Sequence, residues 1–109
     1  MKFEDLNFKP HEYHCQGVRA LYKFANGYML SVVRFPGSYG FNEGLYEAAI
    51  LNKDGDFLYD YDELFEKCNE SLKFFEYFCL DKTIFLNGDI MGYLTEEEVE
   101  FVLNVVENA

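Results

Sequence analysis

Asn26-Gly27 sits between two runs of alternating character and constrains the fold more than any other pair in the chain. Both residues tolerate positive φ, so the pair closes tight hairpins between antiparallel strands. Before it, in residues 17–24, Val18, Ala20, Tyr22 and Phe24 alternate against Arg19 and Lys23, the period-two pattern of a half-buried strand. After it, residues 28–34 read as the second strand of the hairpin.

The same pattern continues. Residues 35–44, Phe-Pro-Gly-Ser-Tyr-Gly-Phe-Asn-Glu-Gly, form a loop rich in glycine and aromatic rings. Residues 45–51 read as a third strand, 52–56 (Asn-Lys-Asp-Gly-Asp) as a turn, and 57–59 as a short fourth strand. A β-meander over 17–59 follows, preceded by a polar N-terminal arm at 1–16 in which Pro10 argues against a through-running helix.

Two helices are expected beyond it. Asp60 caps the first, with Glu63 as reciprocal partner and Tyr59 and Leu64 as hydrophobic staple. Tyr61, Leu64, Phe65, Cys68, Leu72, Phe75 and Cys79 recur at helical spacing over 60–80, and Phe74, Tyr77 and Phe78 make a second apolar stripe. Residues 84–86 read as a short strand before the Asn87-Gly88-Asp89 turn. The second helix, 95–107, opens on the capping box Thr95-x-x-Glu98 with Leu94 and Val99 as staple. Glu96 and Glu97 complement its dipole, and Val99, Val102, Leu103 and Val106 form its buried stripe. The expected fold class is α+β: a single domain with a three- to four-stranded antiparallel meander packed against the C-terminal helix, and an aromatic-rich helix at 60–80 alongside or projecting.

Charge is unevenly placed. Residues 1–53 carry a net +1, whereas 54–109 carry −12, fifteen acids against Lys67, Lys73 and Lys82. Such a field repels nucleic acid and anionic membranes and steers encounters with basic surfaces. Solubility alone accounts for a charge of this size in many small proteins. The polar N-terminus, without an apolar run behind it, gives the expectation of no signal peptide. Cys15, Cys68 and Cys79 are odd in number and unpaired in spacing, so reduced thiols in a cytoplasm are expected.

Several groupings contain residue types that can carry chemistry. His11, His14 and Cys15 are zinc-ligand types, but a fourth ligand would have to come from far along the chain, and no metal or cofactor is expected. Asn52-x-Asp54-Gly55-Asp56 resembles a calcium loop, yet its glycine stands at the fourth position and not the sixth, which favours a hairpin turn. His14 beside Cys15 in sequence is poorly placed as a nucleophile's base, and no phosphate loop or nucleophile elbow occurs. Catalysis is therefore not expected. The loop at 35–44 is the better contact candidate: Gly37, Gly40 and Gly44 let Tyr39 and Phe41 be presented outward, with Arg34 and Glu43 supplying polar contacts. The alternative is that these rings fold back over the sheet.

Asn26-Gly27-Tyr28, Ser31-Val32-Val33-Arg34, Ser38-Tyr39-Gly40 and Glu43-Gly44-Leu45-Tyr46-Glu47 resemble a family of small uncharacterised phage-encoded proteins. So does the closing run from Asp89 through Gly92-Tyr93-Leu94-Thr95-Glu96-Glu97-Glu98-Val99. The resemblance covers roughly 24–60 and 88–106, and residues 61–87 are an extra helical insertion. It implies phage provenance and the fold, and brings no mechanism with it. Small early phage proteins often disable host machinery. The expected function is accordingly a non-enzymatic inhibitor, of anti-CRISPR or anti-restriction type, acting in the cytoplasm of the bacterial host. Asp60, Asp62, Glu63, Glu66, Glu70 and Glu76 would imitate phosphates toward a basic groove, while Tyr39, Phe41, Phe74 and Tyr77 anchor the contact. The expected partner is a host protein or protein–nucleic acid complex with a basic surface, not nucleic acid itself or a membrane. The alternative is a homo-oligomeric structural or accessory protein, a homodimer for instance, that buries the second stripe of the 60–80 helix against its own copy. A zinc-binding module comes third.

Overall fold

A computed structural model describes residues 1–13, 16–58, 85–86 and 90–109. The expected 60–80 helix lies outside these residues, as do His14, Cys15 and the 87–89 turn.

Six strands are described: β1 (Lys9–Pro10), β2 (Val18–Lys23), β3 (Met29–Arg34), β4 (Tyr46–Leu51), β5 (Phe85–Leu86) and β6 (Ile90–Leu94). They form one sheet in the order β1-β2-β3-β4-β6-β5, antiparallel at every junction. One helix, α1 (Glu96–Glu107), packs on one face over β3, β4 and β6, which makes the architecture α+β. The β2–β3 hairpin closes as Asn26-Gly27 requires: Gly27 takes φ +97°, and the Phe24 N–H donates to the Tyr28 carbonyl at 2.8 Å.

The strand expected at 57–59 is reduced, among the described residues, to a single bridge between Phe57 and Leu51. The reason is competition for one edge. An extended 57–59 strand would pair along β4, but Ile90 and Met91 of β6 already pair with Ala49 and Ala48. The meander's fourth neighbour therefore arrives from far along the chain.

The core follows from the register. Ala20, Val32, Ala48 and Met91 stand side by side across β2, β3, β4 and β6, with Tyr22, Leu30 and Ile50 in the next row. Leu30, Val32, Ile50 and Met91 are fully buried with Val99, Val102, Leu103 and Val106 of α1. Each such side chain contributes about 1.5–3 kcal/mol by leaving water. The capping box forms as expected: the Glu98 N–H donates to Thr95 Oγ1 at 3.1 Å, and the Thr95 N–H donates to Glu98 Oε1 at 2.9 Å. That reciprocal use holds Glu98 only 4% exposed, leaving Glu96 and Glu97 as the outward acids of the first turn.

The N-terminal arm lies on the domain. Leu6 is buried, the rings of Phe3, Phe8 and Tyr46 meet at 5.2–5.7 Å, and the Phe3 N–H donates to Glu100 Oε1 at 2.8 Å.

Candidate protein-binding surface

The loop between β3 and β4 is built by its own polar atoms. Ser38 is buried, its hydroxyl donating to the Phe35 carbonyl at 2.8 Å and accepting from the Phe35 N–H at 3.1 Å. A turn of 3-10 helix at Phe41–Glu43 follows, bounded by Gly40 and Gly44 in the left-handed region. Gly40 is irreplaceable on two counts. Its φ is +95°, and a Cβ there would lie 2.9 Å from Leu45 Cβ and 3.1 Å from Tyr93 Cα.

The loop residues part company here. The Arg34 guanidinium lies 5.6 Å from the Phe41 ring centre and 5.9 Å from that of Tyr46, on the helix side of the sheet. Its Nε is buried without a hydrogen-bond partner among the described residues, so the two rings hold the cation in place. Phe41 is half-buried, whereas Tyr39 points outward with 40% of its surface exposed, and Glu43 is exposed. Both alternatives for the loop are thus realised, one ring each. Asp60, Asp62, Glu63, Glu66, Glu70, Phe74, Glu76 and Tyr77 lie outside the described residues.

Beside Tyr39 stands a residue that sequence patterning did not single out. Tyr46 pairs with Leu94 and Ala48 with Met91, so Glu47 faces two residues, Gly92 and Tyr93. This is a β-bulge, and Tyr93 occupies it at φ +58°, a conformation that an aromatic residue rarely adopts. The bulge turns Tyr93 out of the alternation, 46% exposed, with its ring 6.3 Å from that of Tyr39. Two tyrosines are thereby offered to solvent, and one of them, Tyr93, stands three residues before Glu96, within about 11 Å of chain. Bulges commonly re-aim side chains beside functional sites.

Acids gather at the start of α1 as well. Glu4, from the N-terminal turn, and Glu96, Glu97 and Glu100, from the start of α1, line one recess of about 310 Å³ together with Lys2 and Phe3. Exposed rings and grouped carboxylates are the features that would suit a partner presenting cations and an apolar patch.

The opposite face of the sheet carries a second cleft, of about 280 Å³, between His11, Arg19, Phe35, Glu47 and Phe57. Burial pushes the Glu47 carboxyl above its ordinary value. Arg19 and Glu47 flank Val33 from the two neighbouring strands, which keeps their backbones about 10 Å apart. His11 Nδ1 accepts the Tyr13 N–H at 3.1 Å, and its ring packs edge-on against Phe35 at 5.3 Å. Among the described residues, no three His, Cys, Asp or Glu side chains gather to hold a metal ion. The 52–56 segment is a hairpin turn: Asn52 Oδ1 accepts the N–H groups of Asp54 and Asp56 at 2.9 and 3.0 Å. Both bonds use that oxygen to close the turn. No helix among the described residues is long and apolar enough to cross a membrane.

Comparison with protein-family models, with curated proteins and with solved structures finds no match to the chain.

Proposed function

We propose that the protein is a non-enzymatic phage-encoded inhibitor that binds a host nucleic-acid-processing or defence complex in the bacterial cytoplasm. The observation that carries this is the pair of exposed tyrosines, Tyr39 and Tyr93, in a chain of net charge −11 that also exposes the carboxylates of the α1 first turn. A groove that binds nucleic acid offers cations for phosphates and apolar or aromatic surface for bases. Carboxylates at Glu4, Glu96, Glu97 and Glu100 supply the first match and the two rings the second. Nucleic acid itself would be repelled, so the partner is the protein that holds it. Phage origin rests on the sequence resemblance, and the anti-CRISPR or anti-restriction role is its specific form.

The test is capture of partners from bacterial lysate on the tagged protein, with washes at rising salt. A nucleic-acid-binding complex should be retained at low salt, elute as salt rises and be displaced by DNA or RNA. Retention of such a complex by a Tyr39→Ala/Tyr93→Ala double variant as strong as by the native chain would refute the surface assigned here. Recovery of the protein's own copy alone, as a stable dimer, would replace inhibition with self-assembly.

A further inference from the structure

The β2 strand has an open edge, and the chemistry along it is opposite to that of the acidic surface. The bond from the Phe24 N–H to the Tyr28 carbonyl sets the phase of the β2–β3 hairpin. Alternation then directs the backbone groups of Ala20 and Tyr22 at β3 and those of Leu21 and Lys23 outward. On the outer side β1 pairs only with Val18 and Arg19, with one more bond from the His11 N–H to the Gly17 carbonyl. The chain then leaves the edge, since Leu6 is buried in the core and Phe8 packs on Phe3 and Tyr46. The N–H and C=O groups of Leu21 and Lys23 thus face outward with no partner among the described residues. β1 is itself blunted by Pro10, which offers no donor at its outer side.

Side chains give this edge a sign. Leu21 is 51% exposed on the sheet face away from α1, flanked two residues away on either side by Arg19 and Lys23. Lys9 stands directly across from Arg19. None of these three cations makes an ion pair among the described residues, and two like charges sit opposite one another at a cost in stability. In a chain with twenty acids and nine bases, three bases gathered around an exposed leucine are conspicuous.

A second copy of the chain is a poor occupant. Antiparallel self-pairing that keeps the sheet faces matched would centre on Leu21 or on Tyr22. The first sets Arg19 beside the other copy's Lys23, and the second sets Lys23 diagonal to Lys23. Each brings cation to cation, the device by which edge strands avoid joining their own kind.

We infer that the Leu21–Lys23 edge is a docking site for an extended acidic segment of a partner protein, which joins the sheet as an added strand. The backbone of the segment bonds to Leu21 and Lys23. An apolar residue covers Leu21 and one carboxylate faces Lys23. Because β1 already fills the edge at Arg19, the segment lifts away there, and a second carboxylate two residues beyond the apolar one reaches Lys9 and Arg19 from outside β1. The recognised pattern is acid–x–apolar–x–acid. This site is distinct from the tyrosine-bearing surface and does not depend on the function proposed for it.

The experiment is selection from a random twelve-residue peptide display library on the immobilised protein at low salt. Enriched peptides are then measured by fluorescence polarisation and by amide hydrogen exchange. The expected result is enrichment of the acid–x–apolar–x–acid pattern, slowed exchange at the Leu21 and Lys23 amides, and affinity at least about tenfold weaker on Arg19→Glu/Lys23→Glu. Methylating the peptide nitrogens that face the edge should abolish binding, while methylating the alternate ones should not, a result independent of any protein variant. Absence of enrichment, undiminished binding to the double variant, or protection confined to other strands overturns the proposal. So does a free protein that sediments as a dimer with Leu21 and Lys23 already protected.

Discussion

The side-chain amide of Asn26, in the β2–β3 turn, donates to the Val106 carbonyl in the last turn of α1 at 2.7 Å, across eighty residues of sequence. Its carbonyl oxygen accepts the Tyr28 N–H at 3.1 Å, so one side chain shapes the hairpin and anchors the helix end. The carbonyls of a helix's last turn have no partner within the helix, and Asn26 supplies one.

Replacing Asn26 by Asp separates the two duties. Asp-Gly closes the same turn, but a carboxylate cannot donate to Val106 and faces the negative end of the helix dipole. Asn26→Asp is expected to lower stability by about 1–3 kcal/mol at pH 7, read from urea denaturation. The deficit should shrink toward pH 3, where a protonated carboxyl regains a donor.

Gly40 and Gly37 form a natural control pair. Both have φ near +95 to +99°, but a Cβ at Gly37 meets nothing within 4 Å whereas one at Gly40 meets Leu45 and Tyr93. Gly37→Ala should cost about 1 kcal/mol, from backbone conformation alone. Gly40→Ala should exceed about 2 kcal/mol, because the loop must also lift off the bulge. Equal losses in thermal melts would show that the close approach to Tyr93 is not tight.

The strands of the meander and the capped helix were legible because their signals are local. Residues expected at 17–24, 28–34, 45–51 and 95–107 form Val18–Lys23, Met29–Arg34, Tyr46–Leu51 and Glu96–Glu107. β6 was not legible because its bulge breaks the period of two: Met91 and Leu94 are both buried at a spacing of three, which a regular strand cannot do. β1 spans two residues and its pairing is non-local, so no pattern could announce it. In the candidate site, glycine-flanked Tyr39 was readable from sequence, but the outward turn of Tyr93 exists only through pairing with β4. Arg34 reads as a contact residue until Phe41 folds back over it.

Glu47 yields a pH dependence. Burial raises its carboxyl above the ordinary 4.5, because the charged form is penalised in the folded state. A carboxyl that holds its proton more tightly when folded favours folding below its unfolded pKa, and that contribution is lost as pH rises through the folded value. Glu47→Gln removes the penalty. The variant should be more stable than the native chain at pH 7, and the difference should vanish toward pH 4. Urea midpoints that differ equally at both pH values would assign the effect to packing.

Tyr93 offers the sharpest separation of stability from function. Left-handed backbone costs a non-glycine residue about 1 kcal/mol, which glycine would recover. Loss of the ring contact with Tyr39 forfeits about 0.5–1.5 kcal/mol, so Tyr93→Gly should fold with stability within about 1 kcal/mol of the native chain. Tyr93→Ala loses the ring and keeps the strain, and should be less stable than Tyr93→Gly by about 1 kcal/mol. If the tyrosine pair anchors a partner, both variants should lose binding at least tenfold, whatever their stability. A Tyr93→Gly protein that melts no lower than the native chain yet retains no partner would mean that the strained tyrosine serves recognition. One that melts far lower and still binds would make Tyr93 a packing residue.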